Sequence, residues 1–106
     1  MAKYLITAAY SAEGLRGLYK DKASGRLATV TQTLEGIGGK LESVYFALGE
    51  DDVVLIVDLP DNVAASAVAL AVSATGLVRT RTTALMTVEE IDKALGMNVR
   101  YRGPGT

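Results

Sequence analysis

The spacing of apolar positions divides this chain into strand-like and helix-like segments. The run from Leu41 to Pro60 gives the clearest pattern, two apolar strands joined by the acidic tip Gly49-Glu50-Asp51-Asp52. Its second strand, Val53 to Val57, is apolar at every position, the mark of a strand in the middle of a sheet and buried above and below. Tyr4 to Tyr10 reads the same way, with Tyr4, Ile6, Ala8 and Tyr10 on one face and Leu5, Thr7 and Ala9 on the other. Leu77 to Met86 is more polar through Arg79, Thr80, Arg81, Thr82 and Thr83, which suits a sheet edge.

Helical spacing fills the gaps. Ser11 and Glu13 offer an N-cap and an early acid for a helix carrying Leu15, Leu18 and Tyr19, weakened by Gly14 and Gly17. The polar stretch Lys20 to Arg26 breaks that helix, and Ser24 is a candidate cap for a longer half carrying Leu27, Val30, Leu34 and Ile37. Gly36, Gly38 and Gly39 end it. Pro60-Asp61-Asn62 stops the hairpin and caps a second helix, running to about Gly76, with Val63, Ala67, Leu70, Ala71 and Ala74 as its expected inward stripe. Thr87-Val88-Glu89-Glu90 has the form of a capping box and opens a short third helix ending near Gly96. Nothing in the tail from Met97 to Thr106 ties it down.

The order β-α-β-β-α-β predicts a ferredoxin-like α+β fold, a four-stranded antiparallel sheet with both main helices on one face and the first and third strands central. One domain spans residues 1–96, and 97–106 form a tail. If the other sheet face met water it should then alternate with polar residues, yet the third strand offers Val53, Leu55 and Val57 one way and Val54 and Ile56 the other. Leaving several apolar side chains exposed forfeits ~1.5–3 kcal/mol each, so a homodimer packed sheet to sheet is expected in preference to coverage by the chain's own segments.

Composition narrows the chemistry. The 106 residues contain no cysteine and no histidine, so thiolate nucleophiles, imidazole bases and the usual zinc and haem ligand sets are excluded. A net charge of −1 gives no pull toward nucleic acid or an anionic membrane. The opening Met1 to Ile6 is strand-like and lacks the pattern of a signal peptide, and Val63 to Val78 falls short of the ~20 apolar residues that span a bilayer, so a cytoplasmic protein is expected.

Few motifs point to a site. Gly36-Ile37-Gly38-Gly39-Lys40 runs from helix into strand, the wrong polarity for a phosphate loop. Glu50, Asp51 and Asp52 could attract a hard cation, but acids at a hairpin tip are ordinarily solvated turn formers, and no metal or cofactor is expected. Asp52, beside the buried strand, can accept backbone N–H bonds across the turn, and Asp58 reads as a partnered structural acid. Arg79 and Arg81 project from one face of an edge strand, as an ion-pairing rim or as a clamp for a carboxylate or phosphate. Tyr4, Tyr10, Tyr19 and Tyr45 are core and interface material by default; with Arg79 and Arg81, Tyr45 makes up the candidate ligand-binding set.

The run Tyr45-Phe46-Ala47-Leu48-Gly49-Glu50-Asp51-Asp52-Val53-Val54, followed by Asp58-Leu59-Pro60-Asp61 and by Val78-Arg79-Thr80 with Thr82, resembles the GYD-domain family of small bacterial and archaeal proteins. Lys3-Tyr4 and Ser24-Gly25-Arg26 extend the match over nearly the whole chain. The resemblance implies a dimeric α+β barrel of the ferredoxin-like kind, in which Gly49 and Asp52 keep the motif's glycine and aspartate and Asp51 replaces its tyrosine. It implies no particular reaction. The expected function is therefore a homo-oligomeric structural or small-ligand-binding module without catalysis. The alternative, by analogy with other dimeric α+β barrels, is a cofactor-independent enzyme of monooxygenase or isomerase type. Its substrate would be a small aromatic or acidic metabolite held between sheet and helices.

Overall fold

A computed structural model describes residues 1–106. The elements are β1 (Ala2–Tyr10), α1 (Ala12–Gly36), β2 (Lys40–Phe46), β3 (Val53–Leu59), α2 (Asn62–Ser73), β4 (Val78–Leu85) and α3 (Val88–Leu95). The strands form one antiparallel sheet in the order β2-β3-β1-β4, which places β1 and β3 at the centre of a ferredoxin-like α+β arrangement. Register pairs Ile6 with Leu55 and Tyr4 with Val57, so the buried residues of the two central strands share the face beneath the helices. Leu34 of α1 and Ala64 and Ala65 of α2 close over them. Tyr4 keeps its phenol satisfied there, donating to Asn62 Oδ1 at 2.6 Å.

The helix ends follow from local chemistry. Ser11 Oγ accepts from Gly14 N–H, and Asp61 Oδ1 accepts from Ala64 N–H at 2.9 Å. At the end of α1, Gly38 takes φ +80° and its N–H bonds Glu35 O, while Gly39 N–H bonds Leu34 O. This doubly bonded stop needs a residue free of a Cβ penalty. Gly14 has a different reason to be glycine: a Cβ there would collide with the Leu77 carbonyl, where the start of α1 presses against the approach to β4.

Two expectations are corrected. The break in α1 falls at Lys22 (φ 64°, ψ 167°), and Ser24 lies inside the second half without capping it. A non-glycine residue in that region costs on the order of 1–3 kcal/mol. The stripe of α2 is also rotated. Ala64, Ala65, Val68 and Val72 turn inward, whereas Val63 and Leu70 are 78% and 72% exposed and Ala67, Ala71 and Ala74 lie beside them on the outer side. Small apolar residues occupy nearly every position of α2, and with no charge on any side the sequence pattern carries no facing signal.

α3 stands apart from this body. Its capping box is complete, with Glu90 N–H bonding Thr87 Oγ1 and Thr87 N–H bonding Glu90 Oε1, yet it buries no residue. Val88, Ile91 and Leu95 form an apolar stripe that is 81%, 44% and 78% exposed. The chain accordingly has a radius of gyration of 17.0 Å, against about 13 Å for a compact domain of this length, and a long axis of 57 Å.

Candidate functional site

The face of the sheet away from α1 and α2 is built in rows. Tyr45, Val54, Thr7 and Arg81 form one row across the four strands, and Ser43, Ile56, Leu5 and Thr83 the next. Leu5, Val54 and Ile56 are half-buried in the centre. Beyond them Lys3 Nζ bridges Glu42 at 2.6 Å and Asp58 at 2.9 Å. The hydrogen bonds it donates, to Glu42 first and Asp58 second, hold the Lys3 ammonium above its usual 10.5. At the other end Arg81 bonds Asp51 Oδ2 at 2.6 Å. The result is an apolar strip with charged pairs at both ends.

The candidate residues all lie on this face but are not gathered. Tyr45 is on the edge strand β2, and Arg79 and Arg81 are on the opposite edge, so three strand spacings, about 14 Å, separate Tyr45 from Arg81 in the same row. Arg81 is engaged by Asp51, while Arg79 is exposed and makes no ion pair. Tyr45 and Tyr19 are both exposed, in contrast to the buried Tyr4.

The acidic tip is structural in its contacts. Asp52 N–H donates to Ala8 O, and Asp52 Oδ2 accepts from Tyr10 N–H, each at 2.8 Å. Asp52 thereby extends the pairing of β1 past the end of β3, with its side chain taking the acceptor role that the next strand residue would have filled. Glu50, Asp51 and Asp52 do not form a set that could hold a metal ion. Asp58 is partnered by Lys3, as the sequence suggested; Lys3 itself was missed, although its register position opposite Asp58 on the outward face is the signal that pairs them.

A second feature lies on the covered face. α1 rests mainly on β2 and α2 mainly on β4, and the two helices touch each other little. Between them opens a cavity of about 110 Å³, with 14 of its 18 lining residues hydrophobic. Leu27 and Phe46, each partly exposed, stand at its edge. Thr80 Oγ1 is buried there without a hydrogen-bond partner, and Arg26 is the one charged residue in the lining. Sequence reading took Thr80 for edge polarity and Arg26 for part of a polar break; their convergence appears only once β4 and the second half of α1 are placed.

An antiparallel sheet with two helices on one face and an unclad apolar strip on the other defines a ferredoxin-like α+β protein. Within that class the chain belongs to the GYD domain family, whose model matches residues 4–95. No curated protein and no solved structure matches it. No helix is long and apolar enough to cross a membrane.

Proposed function

We propose that this protein is a homodimeric small-ligand-binding module without a catalytic step of its own, its two copies joined open face to open face. One observation carries the assembly. The chain exposes 7749 Å², whereas a compact monomer of 11.1 kDa exposes about 5,700 Å². The excess, about 2,000 Å², includes the unburied α3 and the exposed tail as well as the sheet face, and exceeds the ~800 Å² that each partner contributes to a standard interface. The open face has interface anatomy, with Leu5, Val54 and Ile56 central and ion pairs at the rim. The stripe of α3 supplies further apolar surface that its own chain leaves bare. Arg79, Arg81 and Tyr45 fall at the margin of this interface, with Arg79 free to pair across it.

A binding role fits the state of the carboxylates. Asp51, Asp52 and Asp58 are each held by a partner within the chain, which leaves none of them poised as an acid or base. Native mass spectrometry of the freshly purified protein tests the assembly. The expected species is twice the 11.1 kDa chain mass, and a monomer at tens of micromolar would contradict the assembly.

A further inference from the structure

We infer that the cavity between α1, α2 and the sheet binds a small hydroxy-substituted carboxylic acid, its carboxylate on Arg26, its apolar body in the cavity and its hydroxyl bonded to Thr80 Oγ1. This rests on the ligand-binding part of the function proposed above and adds the chemical class of ligand.

The polar groups of the lining decide the class. Thr29 Oγ1 is committed to Gly25 O and Thr33 Oγ1 to Thr29 O, both within α1. Thr80 Oγ1 alone is buried with nothing to bond. An unpartnered hydroxyl in an apolar wall is unfavourable, and a ligand that bonds it recovers that loss. Arg26 is bound only loosely, with 3.8 Å to an Asp21 carboxylate that is itself half exposed. Its guanidinium therefore has donors free for a second, better-aligned carboxylate, and no acidic residue lines the cavity to compete. A cationic or phosphorylated ligand fits less well, since one guanidinium balances a single negative charge in an otherwise apolar wall.

Size sets the body. A dry cavity of about 150 Å³ accepts benzene, so 110 Å³ that opens past Leu27 and Phe46 suits one ring or a short branched chain, with the carboxylate outside at Arg26. The packing explains why the space is there. Ala64, Ala65 and Val68 give α2 a thin inner side, and α1 leans toward the opposite edge of the sheet.

The test is a ¹H–¹⁵N NMR titration of the full chain with 4-hydroxybenzoate and with its neutral isostere 4-hydroxybenzamide. 4-Hydroxybenzoate should move the amide signals of Thr80, Val30 and Val72 and bind at least about tenfold more tightly than 4-hydroxybenzamide, the scale of one charge-assisted bidentate contact. Arg26→Gln should remove that preference, because only the carboxylate uses the guanidinium. Thr80→Val should weaken both probes severalfold while raising the melting temperature of the free protein. A merely structural hydroxyl would not give that pair of opposite effects. Val72→Phe, which fills the space, should abolish binding while the spectrum stays folded. Equal affinity for the two probes, or shifts confined to Arg79 and Arg81, would overturn the carboxylate assignment and leave the wider ligand-binding reading standing. No shift at any cavity residue with either probe would overturn both, and native mass spectrometry would still report the dimer independently.

Discussion

The two faces of this sheet are made from the same strands and the same kinds of residue, yet only one is finished within the chain. Beneath the helices, Leu59 and Val57 are fully buried. One residue away along β3, Ile56 and Val54 remain half-exposed between ion pairs. The difference lies in what covers each face, since the alternating strand pattern is apolar in both directions. A face left apolar and framed by charge is suited to a surface outside its own chain, and α3, well capped and unburied, repeats that condition at the other end of the molecule.

Substitutions on the two faces should separate them. Leu59→Ala removes a fully buried side chain and should cost about 4 kcal/mol in urea unfolding, near the upper part of the range for such cavities. The loss should be the same at any protein concentration. Ile56→Glu should cost about 3 kcal/mol of association, from an unpaired charge at the interface, and leave the monomer's fold intact. Stability would then cease to depend on protein concentration. Equal, concentration-independent effects at both positions would remove the distinction between the faces.

Asp52→Ala comes next in size. It deprives Tyr10 N–H of its acceptor and should lower stability by about 2 kcal/mol, since the bond is to a charged group. Asp52→Asn should recover part of that loss.

The smallest effect concerns α3. Hydrogen bonding from the Thr87 backbone, and then its side chain, holds the Glu90 carboxyl below its usual 4.5. The folded value is the lower one, so the contribution is present above 4.5 and is lost as pH falls through that lower value. Circular dichroism should show α3 fraying in that acid window, and Glu90→Gln should make the fraying insensitive to pH.

Much of the fold was legible because it rests on local chemistry. The caps at Ser11, Asp61 and Thr87 and the glycine stop after α1 each depend on residues close in sequence, whereas the Asp52 carboxylate bonds Tyr10 of β1 instead of reaching across its own turn. The facing of α2 was not legible, because its small apolar residues, with no charge among them, offer every side as an inner side. Nor was the position of the helix break, where Lys22 and Ser24 sit in the same polar stretch and only backbone geometry distinguishes them. The cavity was hidden for another reason. Arg26 and Thr80 are far apart along the chain and reach one cavity because α1 rests on β2 and α2 on β4, which no periodicity encodes.

The absence of cysteine makes the central claim directly testable by cross-linking. Thr7→Cys places a single thiol on the open face, and Ser66→Cys places one on the exposed side of α2. With a short bismaleimide at low micromolar protein, Thr7→Cys should give a covalent dimer and Ser66→Cys should stay monomeric on a denaturing gel. Dimer from Ser66→Cys alone, or from neither variant, would contradict assembly through the open face.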